Sequence, residues 1–187
     1  VLKDRHDITV DRRNIPLLIL RSVLGTVGIL CNFYAVDHLV LADASMLNKL
    51  SPFFTLICSA VFLKEKVSIK EALIVAGAFA GSLLIIKPSF SNTDLVTSLI
   101  GLLGGLGAGS AYTCVRALGK RGEKGPVIVL FFSAFSCLVP LPYLLFRYSP
   151  MTAGQVLILM LAGAAAAAGQ FSITAAYSFA PARKISA

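Results

Sequence analysis

Six apolar runs, at residues 16–36, 44–63, 71–86, 96–115, 127–146 and 155–180, are separated by short polar gaps marked by Pro or Gly. A helix needs roughly 20 apolar residues to cross about 30 Å of hydrocarbon, so each run reads as a membrane span. The run at 71–86 is short, and the run at 155–180 is long enough to tilt, or to bend near Gly169. A membrane barrel would require strict alternation of apolar and polar residues, which these runs lack. The 57% hydrophobic and 14% charged composition excludes an ordinary soluble domain. The expected class is therefore an all-α integral membrane protein, a polytopic helix bundle whose first partner is the lipid bilayer.

The charges follow the gaps. Of seventeen Lys and Arg residues, thirteen fall in alternate gaps: Lys3, Arg5, Arg12 and Arg13; Lys64, Lys66 and Lys70; Arg116, Lys120, Arg121 and Lys124; Arg183 and Lys184. The other gaps hold Lys87 and Arg147 with Asp37, Asp43 and Asp94. Basic loops stay in the cytoplasm, so the first run is expected to leave it and each later run to alternate. The net charge of +8 is thereby a topology signal and not a nucleic-acid footprint, because no basic segment carries interleaved aromatics. Cys31, Cys58, Cys114 and Cys137 each lie inside an apolar run, as small buried thiols rather than a disulfide or metal framework. No cofactor is implied.

A shift of 141 residues aligns 39–45 with 180–186, Gly28 with Gly169 and Ala35 with Ala176. The loop holds Asp37 and Asp43 in the first copy but Arg183 and Lys184 in the second. Five spans lie between the copies. An odd-numbered unit inserts its second copy upside down, so matching loops of opposite charge are what two inverted repeats predict. The chain, which starts at Val1, is expected to be part of a ten-helix protein incomplete at both ends. Residues 1–88 would be the C-terminal part of the first repeat and 96–187 the N-terminal part of the second.

The residues at these positions resemble the EamA domain of the drug/metabolite transporter superfamily. They are Tyr34-Ala35, the stretch Leu39-Val40-Leu41-Ala42-Asp43-Ala44, the central Pro52, the turn Lys64-Glu65-Lys66-Val67-Ser68, then Gly77, Gly81 and Lys87-Pro88. In the second copy Ala176-Tyr177 and Ala180-Pro181-Ala182 match. The resemblance implies two inverted five-helix repeats and transport of a small-molecule substrate, and it carries no family-wide substrate residue.

Candidate site residues come from polarity inside the runs. Lys49 lies about six residues, or ~9 Å, from the outer end of its run, where a charge faces a cavity or a partner. Snorkelling to the outer headgroups is the competing reading. Ser45, Asn48 and Pro52, at helical spacing around it, make one polar, kinked face suited to a carboxylate or phosphate. On this reading, replacing Lys49 by Met or Gln abolishes transport. Arg21 is a further candidate, although snorkelling toward the basic face is its stronger reading. Asn32 and Gln170 either line a cavity or bond neighbouring helices. Asp37 and His38 read as a solvated loop pair. The Gly101, Gly105 and Gly109 stripe and the Gly77/Gly81 pair favour helix packing within the monomer, with a homodimer second.

A secondary carrier working by alternating access, with proton or ion coupling left open, fits inverted repeats, short loops and isolated intramembrane polar groups. Gly119-Lys120 lacks the remainder of a phosphate-binding loop, which argues against direct ATP use. The rivals are a nucleotide-sugar or organophosphate-type carrier, whose anionic substrate would suit Lys49 and Arg21, and a non-transporting membrane enzyme or scaffold. The bacterial inner membrane is the expected location.

Overall fold

The computed structural model describes residues 10–86, 95–147 and 150–180, and its regular structure there is helical. Its helices are α1 (Ile15–His38), α2 (Leu41–Asn48), α3 (Ser51–Leu63), α4 (Ile69–Ile86), α5 (Leu95–Lys120), α6 (Gly125–Leu138), α7 (Leu141–Phe146) and α8 (Ala153–Phe179). Among the described residues five segments are long and apolar enough to cross a membrane: Arg12–His38, Leu41–Leu63, Leu95–Lys120, Gly125–Phe146 and Ala153–Phe179. The expected span at 71–86 is helical as part of α4, which is 18 residues long. Lys87-Pro88, the gap at 87–94 and the second-copy residues from 181 onward lie outside the described residues.

Proline sets the helix starts. Pro16, Pro52, Pro126 and Pro142 each stand in the first turn of a helix, where a missing N–H is harmless and the fixed φ is already helical. Two runs expected as continuous spans are consequently divided. The 44–63 run starts earlier, at Leu41, stops at Asn48 and restarts at Ser51; the 127–146 run stops at Leu138 and restarts at Leu141. The prolines at 52 and 142 cannot donate to the carbonyls four residues earlier, and their rings crowd those carbonyls.

Glycine sets the packing. α5 is the central helix and packs most extensively on α1, then on α3 and α8. A Cβ on Gly107 would sit 2.9 Å from the Leu24 carbonyl and 3.0 Å from Gly28 Cα, so α1 and α5 touch backbone to backbone. On another face of α5, a Cβ on Gly105 would lie 2.8 Å from the Leu47 carbonyl, and one on Gly109 2.7 Å from the Ser51 carbonyl. Small residues allow this approach in lipid, where dispersion replaces the hydrophobic drive between helices. The 101/105/109 stripe therefore packs within the monomer, against α2 and α3 at their break. Around Gly77 and Gly81, by contrast, no described atom lies within 4 Å of a built Cβ, so that pair is not a packing seam among the described residues.

The apolar core of Leu18, Val115, Leu118, Ile128 and Tyr177 sits where α1, α5, α6 and α8 meet, toward the basic end. Every residue of α8 from Ala153 to Gly169 is exposed, while Thr174 and Tyr177 are buried. Apolar surface of this kind suits lipid contact, since the helix satisfies its own backbone. At the basic end Glu65 Oε1 accepts from Arg116 Nε at 3.1 Å and pairs with Lys120 Nζ at 2.7 Å, and Arg116 Nη1 donates to the Ser178 carbonyl at 3.2 Å. These contacts tie the α3–α4 turn to α5 and α8. Burial pushes the Glu65 carboxyl upward, but bonding and charge from Lys120 and Arg116 outweigh it and hold the group below its ordinary range. Asn14 Nδ2 donates to Glu123 Oε2 at 2.8 Å, joining the start of α1 to the α5–α6 turn in the same way.

Candidate functional site

The breaks and glycine contacts leave a cavity of about 150 Å³ lined by residues of α1, α2, α5, α6 and α8. Its polar lining is Arg21, Asn32, Asn48, Tyr112 and Gln170; Phe132 and Ala111 are among its apolar residues. Arg21 stands nine residues after Arg12, and Tyr112 eight before Lys120. At 1.5 Å per residue both are roughly 12–14 Å from the basic end, near the middle of a ~30 Å hydrocarbon layer.

Arg21 is 2% exposed. Its guanidinium carbon lies 4.0 Å from the centre of the Phe132 ring, a cation over an aromatic face. Gly25, one turn along α1, makes room for it: a Cβ there would collide with Arg21 Nη1 and come within 2.8 Å of Phe132 Cε2. Arg21 Nε is buried without a hydrogen-bond partner. Among the described residues the carboxylates in ion pairs are Asp37 and Glu65, and neither pairs with Arg21. The snorkelling expected of Arg21 is thus overturned. The side chain is held inside the bundle by the ring on one side and the glycine on the other.

Four of the seven expected site residues converge here: Arg21, Asn32, Asn48 and Gln170. Gln170 Nε2 donates to Thr174 Oγ1 at 3.3 Å, which fixes the amide and directs its carbonyl oxygen to other partners. Ser45, Pro52 and Lys49 are not part of the lining. Lys49 is exposed and caps α2, its backbone N–H donating to the Ser45 carbonyl at 3.1 Å. The single polar face drawn through Ser45, Asn48, Lys49 and Pro52 assumed an unbroken helix, and the break after Asn48 ends that register.

Sequence reasoning passed over Tyr112 and Phe132. Tyr112 is the one aromatic of α5 and stacks on Tyr177 of α8, with ring centres 4.9 Å apart and planes at 10°. A lone aromatic in a glycine-rich span was the available signal. Asp43, read as a loop acid, is buried in the first turn of α2 with Oδ1 unpartnered. Asp37 and His38 lie in the last turn of α1 instead of a loop; they are 3.5 Å apart and exposed, and His38 Nδ1 is 2.9 Å from the Tyr34 carbonyl. Thr26 and Ser136 hydroxyls bond at 2.8 Å, linking α1 to α6 beside the cavity.

Residues 2–87 match the EamA-like transporter family. The chain is 32% identical over 179 residues to the pseudopaline exporter CntI of Pseudomonas aeruginosa, covering 95% of this chain and 63% of that protein. It is 31% identical over 175 residues to a riboflavin transporter of Brucella anthropi, with 89% and 60% covered. Human solute carrier family 35 member G1 is 34% identical over 128 residues, 65% of this chain and 35% of that protein. The chain spans less than two thirds of the length of these curated relatives. No solved structure matches it significantly.

Proposed function

Because the chain belongs to the EamA-like transporter family, we propose that it moves a small molecule across a membrane by alternating access, with the Arg21 cavity as its substrate site. The observation carrying this reading is convergence. Polar side chains from four helices line one cavity: Arg21, Tyr112 and Gln170 near mid-depth, with Asn32 and Asn48 toward the outer end, and a polar group inside a span is costly unless it is used. Substrate sites of inverted-repeat carriers lie near the midplane, at the contact between repeats and beside broken helices. Taking α1 as part of the first repeat and α8 as part of the second, both would contribute to the cavity through Arg21, Asn32 and Gln170, and the α2–α3 break adds Asn48.

The 141-residue shift supports the same arrangement. α1 ends at His38 and α8 at Phe179, 141 residues apart, and both are followed by an extended residue, Leu39 and Ala180. Rocking of one repeat against the other would then open the cavity alternately to each side. In this reading the basic gaps face the cytoplasm, and the Glu65 cluster closes the cytoplasmic end.

The test is uptake into proteoliposomes, or export from loaded cells, over a panel of amino acids, riboflavin-like heterocycles, amino-carboxylate chelators and nucleotides. One class is expected to move, with its rate falling about tenfold or more in Asn32→Ala and Gln170→Ala at unchanged protein level, as loss of a polar contact in a half-buried cavity implies. Transport indifferent to every cavity substitution would remove the assignment.

A further inference from the structure

We infer that the Arg21 cavity binds an anionic group, a carboxylate or a phosphate, of the transported molecule; this rests on the transport reading above and names its substrate class. Arg21 is 2% exposed, its Nε has no partner, and no carboxylate among the described residues pairs with it. A guanidinium cannot shed its proton at accessible pH, so burial cannot be relieved by neutralisation. A buried charge lacking a counter-charge is costly, and in a membrane span it marks a ligand or ion path.

The geometry selects the kind of ligand. Phe132 covers one face of the guanidinium at 4.0 Å, leaving its N–H edge, which matches the two oxygens of a carboxylate or phosphate. The remaining polar lining is neutral: Asn32, Asn48, Tyr112 and Gln170. These supply bonds to hydroxyl, amine or amide groups beside the anion, and no second charge. The cavity, at about 150 Å³, is well below the ~300–1,000 Å³ of drug-sized pockets. It suits a small acid, or the charged end of a larger molecule. A membrane-lipid headgroup has the same chemistry, but its home is the interface and Arg21 lies near mid-depth.

The experiment uses the full chain in phosphatidylcholine nanodiscs and measures thermal unfolding with matched probes: acetate against acetamide, succinate against succinamide, glycerol 3-phosphate against glycerol. An acid is expected to raise the unfolding temperature while its neutral partner does not. Arg21→Gln should weaken that acid about tenfold to a hundredfold, the range of a lost charge-assisted bond, and Arg21→Lys by less. A carboxylate-only or phosphate-only response supports the proposal and identifies the group. Equal response to the neutral partners, no response to any acid, or an acid response intact in Arg21→Gln overturns it. Stabilisation by phosphatidylglycerol in the disc without any by soluble acids also overturns it, because the partner is then a headgroup. If Arg21→Gln does not fold, the acid-against-neutral pairs on the unaltered chain decide alone. Transport of a neutral or cationic molecule that is lost in Asn32→Ala yet kept in Arg21→Gln would leave the transport reading standing and remove this one.

Discussion

The Arg21 guanidinium lies 4.0 Å over the face of Phe132, joining α1 to α6 inside the bundle. A desolvated cation–π contact is worth about 2 kcal/mol. Phe132→Leu keeps an apolar side chain of similar bulk and removes the ring. The expected result is a loss of roughly 1–2 kcal/mol in unfolding stability and a severalfold fall in transport, with Phe132→Tyr close to wild type. Thermal unfolding in detergent and a proteoliposome assay check it; an unaffected Phe132→Leu protein would mean that the ring merely fills space.

Glu65 answers to pH in a defined direction. Its folded-state carboxyl is held below the ordinary range, chiefly because the partners Lys120 and Arg116 outweigh the upward push of burial. A depressed carboxyl contributes stability that is fully present above its unfolded value and is lost as pH falls through the lower folded value. Acid unfolding of the wild type should therefore steepen below the ordinary glutamate range. Glu65→Gln should flatten that limb and lower stability at neutral pH by about 1–3 kcal/mol, the worth of bonds to charged groups in a half-buried setting. An identical acid limb in Glu65→Gln would exclude the clamp as its source.

The glycines of α4 and α5 differ in what their hydrogen atoms face. A methyl on Gly109 would stand 2.7 Å from the Ser51 carbonyl and 2.8 Å from the Thr55 nitrogen, and backbone atoms there cannot step aside. Gly109→Ala should cost about 1–3 kcal/mol, the usual penalty of overpacking. Gly77→Ala, with no described atom within 4 Å, should be neutral or gain up to ~1 kcal/mol of helix propensity. Unfolding midpoints of the two variants provide the comparison, and equal midpoints would contradict the packing described for α5.

What could be read from sequence was what depends on runs of residues. Span positions, basic ends and the monomeric role of the 101/105/109 stripe follow from hydropathy, charge and small-residue spacing, which act locally. What depends on three-dimensional closure could not be read. Arg21 looked close enough to the basic face to snorkel, and only the combination of Gly25 and Phe132 draws it inward. Pro52 was visible as a kink, but whether a kink becomes a break depends on Gly105 and Gly109 receiving the Leu47 and Ser51 carbonyls. Tyr112 was passed over because an aromatic in an apolar span says little until its stacking partner, Tyr177, is known.

Topology is open to a labelling test. Arg121, exposed in the turn after α5, and Arg147, exposed after α7, should face opposite compartments if basic gaps are cytoplasmic. With the four native cysteines replaced by serine, Arg147→Cys should react with a membrane-impermeant maleimide in intact cells. Arg121→Cys should react only after lysis. The reverse pattern would invert the orientation, and equal labelling in intact cells would remove the span between them.

Lys49 and Arg21 make the sharpest contrast, because the fold gives two intramembrane cations opposite surroundings. Both are cations inside apolar runs, yet Lys49 is exposed at the α2–α3 break and Arg21 is 2% exposed on the cavity. Lys49 can reach solvent or headgroups along its flexible stem at little cost, so its charge need not be balanced by a ligand. Lys49→Gln should change transport by less than about twofold and stability by under ~0.5 kcal/mol, as expected for an exposed position. Arg21→Gln should reduce transport about tenfold or more, since a charge-assisted bond is lost from a desolvated site. Parallel rate measurements at matched protein level decide between them: a strong Lys49 effect with a weak Arg21 effect would return the site to the face at the helix break and away from the cavity.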